Sequence, residues 1–97
     1  MLHDHIKLFS EIDQQLVLCK WELMQGNCNK AQAILTQEEI EFLKLIKYKN
    51  KLVEEMEKCN ADDGLFYKKI IETVKSNIDM LARRIEIMHE INDLQIV

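Results

Sequence analysis

The chain contains no proline, and its 97 residues include only two glycines, Gly26 and Gly64. Proline removes a helix hydrogen bond and clashes with the preceding turn, and glycine is entropically poor in a helix, so these two residue types punctuate regular structure. A chain punctuated at only two places has room for three long segments. The apolar residues of each segment recur at helical spacing. The fold predicted is therefore all-α: an antiparallel bundle of three long helices, a helical hairpin plus a shorter N-terminal helix. The expected bounds are about 4–25, 29–58 and 63–95, within a single domain spanning 1–97.

In the first segment Phe9, Ile12, Leu16, Cys19 and Leu23 fall at steps of three and four, with Ile6 and Val17 beside them and Leu2 extending the row backwards. Asp4 is placed as the N-cap, and Gly26 follows the last apolar turn as a helix-ending glycine does. Asn27 or Asn29 then caps the second helix. That helix carries Leu35, Phe42, Ile46, Val53 and Met56 as a seam, interrupted by Glu39 and Lys49 and widened by Leu43, Leu45 and Leu52. Thr36 to Glu39 has the spacing of a capping box. The good helix formers before it and the lack of a breaker after it favour one uninterrupted helix. Asn60 to Gly64 is read as the second turn, with Asp62 or Asp63 capping the third helix. The third helix has the most regular pattern: Tyr67, Ile71, Val74, Ile78, Leu81, Ile85 and Met88 alternate steps of four and three, the heptad of a long helix pairing.

At ~1.5 Å per residue the second and third helices are each at least ~45 Å long and the first ~33 Å. The first therefore covers only part of the hairpin, and some apolar surface is left open or meets another chain.

Composition narrows function mainly by exclusion. A net charge of −4 and a pI near 5.3 oppose general nucleic-acid binding, which needs a basic footprint. No apolar run approaches the ~20 residues of a membrane span, so no membrane insertion is expected. The start, MLHDHIKLF, lacks the features of a signal peptide, and the three cysteines, Cys19, Cys28 and Cys59, include no CxxC pair. Both point to a cytoplasmic protein with reduced thiols. Cys19 falls on an apolar face and reads as a small buried hydrophobe, and Cys28 and Cys59 sit near the breaks.

No catalytic, cofactor or metal motif is present, and the chain is not read as an enzyme. The two arginines, Arg83 and Arg84, are adjacent and diverge by ~100° on a helix, which does not build the converging cationic site a small helical mutase needs. His3, Asp4 and His5 lack a further ligand to converge on one ion and read as a frayed first turn. Lys47, Lys49 and Lys51 point in different directions and form no basic face.

Two surfaces remain as candidates. Met80, Arg84, Ile87, Ile91 and Leu94 recur at helical spacing about 100° away from the main seam of the third helix. One helix cannot bury both bands against a single neighbour. Either the first helix covers this band inside the bundle, or the band is the lip of a groove for a partner helix. Leu18 and Trp21 lie outside the main apolar arc of the first helix. Trp21 either lies flat over a neighbouring helix or makes a partner or self-association contact.

The segments LCKWELMQGNCNKAQAILTQEEIEFLKLI and VKSNIDMLARRIEIMHEINDL together resemble the flagellar export chaperones of the FlgN type, and less closely the FliT type. Gly26-Asn27 matches the step that ends the first helix in such proteins, and Asn77 followed by Met80-Leu81 matches a feature of their last helix. Cys28 stands where an apolar residue is usual. The resemblance implies a small cytosolic chaperone, part of flagellum biogenesis and protein export. Such a chaperone grips a C-terminal helical segment of a hook-associated client with its own C-terminal helix. That gripping helix coincides with the band of Met80, Arg84, Ile87, Ile91 and Leu94 read from spacing, and Leu18 and Trp21 remain a second candidate surface. The alternative is a structural or oligomerisation module, a homodimeric coiled coil or four-helix bundle. A chaperone would be a monomer or a weak homodimer.

Overall fold

The computed structural model describes residues 2–96, with side chains from Asp4 to Gln95. It consists of three helices: α1 (Leu2–Met24), α2 (Cys28–Lys58) and α3 (Ala61–Ile96). The molecule measures 54 × 21 × 16 Å. The long dimension is that of α3, whose 36 residues span ~54 Å at 1.5 Å per residue. The chain runs up, down and up, so α2 is antiparallel to both neighbours. His5 meets Asn77 at one end of the α1/α3 contact and Leu23 meets Gln95 at the other, which sets α1 parallel to α3.

The first break forms as expected. Gly26 adopts φ +76°, and the Gly26 and Asn27 amides donate to the Leu23 and Glu22 carbonyls at 3.1 and 2.9 Å. That is a Schellman ending, and its left-handed residue is where a glycine is needed. Asn27 stands at the N-cap position of α2 but caps nothing: its side-chain amide donates to Glu22 Oε2 at 2.8 Å. Helix α2 passes through Thr36 without interruption.

The second break is shorter than its composition suggests. Helix α3 starts at Ala61, and Asn60, not Asp62 or Asp63, is its cap. Asn60 Oδ1 accepts from the Asp63 amide at 2.9 Å and its carbonyl from the Gly64 amide at 2.8 Å. Asp62 and Asp63 instead occupy the first turn, where negative charge suits the helix dipole. Gly64 is an ordinary helical residue. Helix α1 likewise begins at Leu2, so Asp4 lies in its first turn rather than at its cap. The side chains of Leu2 and His3 lie outside the described residues.

Each helix presents a heptad line to the bundle axis. On α1 it is His5, Phe9, Ile12, Leu16, Cys19 and Leu23, and Ile6 and Val17 stay exposed. On α3 the expected row is buried or half-buried from Tyr67 to Met88, and it continues through Asn92, which is fully buried. On α2 the centre of the face is shifted from the expected seam. Ala31, Leu35, Glu38, Leu45 and Leu52 are buried, Phe42, Ile46, Val53 and Met56 are half-buried, and Leu43 is exposed. The reason is that α2 is flanked by two helices over much of its length. The line facing both is buried most deeply, and the flanking residues face only one neighbour.

The core has two parts. Ile12, Leu16, Cys19, Leu35, Leu45 and Leu81 anchor the section where all three helices pack. Leu52, Ile71 and Val74 anchor an overhang in which α2 and α3 continue past the start of α1. His5 marks the junction. It is 2% exposed, stacked on Tyr48 with ring centroids 5.7 Å apart, and its Nε2 lies 3.5 Å from the Asn77 amide nitrogen. It is thus a core residue, not part of a frayed turn. Burial lowers its pKa.

Candidate functional site

The candidate site is built where α1 ends. There α1 and α3 lie side by side but diverge in what they bury. Leu23 faces the axis, and the next position outward, Met24, is exposed. On α3 Met88 faces the axis, and Ile87 and Ile91 lie toward and past α1. They are 39% and 41% exposed, so α1 only partly covers the band. Between the two helices runs a groove of about 350 Å³ whose walls include Leu23, Met24, Ile87 and Ile91, with Lys20 and Arg84 contributing their stems.

Polar contacts hold this end in register. Gln95 Nε2 donates to the Leu23 carbonyl at 2.7 Å, and Asn92 Nδ2 to the Cys28 carbonyl at 3.3 Å. Both amides tie α3 to the turn that ends α1 and starts α2, and the Leu23 carbonyl accepts from the Gly26 amide as well. Asn92 Oδ1 is buried without a partner. Asn92 and Gln95 continue the α3 heptad past Met88, where a pattern of apolar residues alone does not reach. Their spacing, four and then three after Met88, was the available signal.

Arg84 is fixed by an ion pair with Asp13 of α1. This pair spans the α1/α3 junction and holds a cation at the groove edge. Lys20 adds a cation to the rim around an apolar floor.

The residues singled out in the sequence separate into three groups. Arg84, Ile87 and Ile91 line the groove together. Met80 and Leu94 lie on the same face of α3 but outside the groove walls, and Leu94 is 78% exposed. Leu18 and Trp21 sit on the outer surface of α1, 51% and 56% exposed, and do not enter the groove. Cys19 is fully buried, and burial and then Glu22 raise its thiol pKa, so it is a packing residue. Among the described residues no group of three metal-ligating side chains converges, and no helix is long and apolar enough to cross a membrane.

Compared with models of known protein families, with curated proteins and with solved structures, the chain matches none.

Proposed function

We propose that the protein is a binding chaperone that holds an amphipathic helical segment of a client in the α1/α3 groove. The observation that carries this reading is the half-exposed row on α3, with Ile87 and Ile91 opening onto an apolar trough that Met24 borders. An exposed isoleucine needs no explanation, but a row at heptad spacing beside a trough does. A client helix would lay its apolar face into the trough, in the helix-in-groove mode. Met24 adapts to an imperfect fit, as flexible thioether side chains do. Lys20 would favour an acidic residue on the client's flank. The resemblance to flagellar export chaperones suggests the client class: the C-terminal helical segment of a hook-associated protein, held in the cytoplasm before export.

The test pairs stability with binding. Ile87→Glu/Ile91→Glu leaves the thermal melt largely unchanged, because both side chains already meet water. It weakens calorimetric binding of a hook-associated C-terminal peptide at least about tenfold, or about 1.4 kcal/mol. Unfolding of the double variant would make the row core. Unchanged binding would move the client to the Leu18–Trp21 surface. A structural homodimer would instead bury the row symmetrically and stay dimeric at sub-micromolar concentration by sedimentation.

A further inference from the structure

The opposite flank of α1 meets α2 in a second groove, of about 350 Å³, with a different chemistry. Glu11, Gln14 and Gln15 line it from α1, and Gln37, Glu38 and Glu41 from α2. Three carboxylates and three amides face one groove, and no cation is among its walls.

Glu38 gives the groove its character. It occupies a core position, one turn after Leu35, and is only 4% exposed. Burial pushes its pKa from the ordinary 4.5 up to about 7, Glu41 and Glu11 add to the rise, and no hydrogen bond or cation acts in the opposite direction. Charged groups around it are paired with other side chains. On α2, Lys44 is 3.1 Å from Glu41 and Glu39 is held by His89 of α3. Arg84 of α3 is held by Asp13 of α1. A buried carboxylate is ordinarily paired or hydrogen-bonded. One that opens onto a groove of carboxylates and amides, with no cation among its lining residues, is suited to take a cation from outside the chain.

We propose that the α1/α2 groove binds a guanidinium group, the side chain of a partner's arginine, with Glu38 as its buried counter-ion and Glu11 and Glu41 at the rim. A guanidinium offers five donors in one plane, which several carboxylate and amide oxygens can share. An ammonium is a compact, strongly hydrated charge and gains less from a spread of acceptors. Glu41 is already oriented, since Gln37 Nε2 and Lys44 Nζ donate to its Oε1 at 3.3 and 3.1 Å. This site uses the other flank of α1 and does not depend on the helix-docking reading.

The experiment titrates the full chain with argininamide, against lysinamide and sodium chloride at equal ionic strength, while carbon NMR follows the glutamate carboxyl resonances. The Glu38 resonance shifts saturably with argininamide, and its titration midpoint falls. Affinity is about tenfold higher at pH 8 than at pH 6, because the ionised fraction of a group titrating near 7 rises by about that factor. Glu38→Gln, isosteric with the neutral acid, weakens binding at least about tenfold, and Glu41→Gln at the rim less; a tenfold loss is about 1.4 kcal/mol. Ile87→Glu/Ile91→Glu leaves this binding unchanged. If argininamide moves Glu38 no further than sodium chloride does, or if Glu38→Gln binds as well as the parent, the site is overturned. If lysinamide binds as tightly, the guanidinium assignment is overturned.

Discussion

The section where three helices pack and the overhang where two continue alone are built from the same pair of helices, α2 and α3. They differ in what closes them. In the three-helix section Leu16, Leu35, Leu45 and Leu81 are fully buried. In the overhang Leu52 and Val74 are equally buried, but Tyr48, Val53, Met56 and Tyr67 around them are only half-buried. Leu65 and Phe66 near the tip are each 62% exposed. Two helices bury one shared line and leave its flanks wet. Helix α1 turns that line into a core with sides. A core residue's contribution should therefore depend on which section holds it, even at equal exposure.

The largest effect is expected in the three-helix section. Leu81→Ala removes a fully buried branched side chain from the centre of the α3 seam and leaves a cavity that three helices cannot easily collapse. It should lower the unfolding free energy by roughly 2–4 kcal/mol in chemical denaturation. A loss below about 1 kcal/mol would mean that this seam does not hold the bundle together.

The matched change in the overhang is Leu52→Ala. Leu52 is 1% exposed, yet its neighbours are half-buried side chains with room to relax toward it. The expected loss is about 2 kcal/mol, at the low end for such a truncation. Equal losses at Leu81 and Leu52 would break the distinction between the sections. Amide exchange sharpens it further: the α2 and α3 amides of the overhang should exchange faster than those beside α1, because fewer buried contacts hold them.

The sequence carried the fold well because its punctuation is sparse and its α3 heptad is unbroken. The number of helices, the long hairpin and the shorter first helix all follow from Gly26, the Asn60 region and the apolar spacing. It carried the polar interior poorly. His5, Glu38 and Asn92 lie on the same heptad lines as Ile12, Leu35 and Met88, but a search for apolar residues steps over them. The turn at Asn60 is shorter than the glycine at 64 suggests, because Asn60 and the two aspartates are themselves a good helix start. The α3 row at Ile87 and Ile91 was legible from its angle to the main seam. That it borders a trough with Met24 was not, since this depends on how far α1 reaches along α3. The acidic groove was invisible for the same reason: Glu11 and Glu38 are brought together only by the α1/α2 register.

The smallest expected effect probes the polar positions of the two sections through pH. Glu38 lies within the three-helix section, and its pKa is raised to about 7. The folded state holds its proton more tightly than the unfolded chain does. Its contribution is thus fully present below about 4.5 and is lost as pH rises through about 7. His5 lies at the junction with the overhang, and burial lowers its pKa below 6.5. The unfolded chain takes that proton more readily, so stability is present above 6.5 and falls as pH drops below it. The two variants should therefore show opposite trends. Glu38→Gln should stabilise the protein more at pH 8 than at pH 5, with a difference on the order of 1 kcal/mol. His5→Phe keeps a ring against Tyr48 but removes the titrating group, and it should help more at pH 5 than at pH 8. The measurement is denaturant unfolding of each variant and the parent at both pH values. Parallel trends in the two variants would show that one of these side chains is not buried as described. Opposite trends would place an acid-sensitive site at the junction and a base-sensitive one within the three-helix section, so that the order in which the two sections loosen depends on pH.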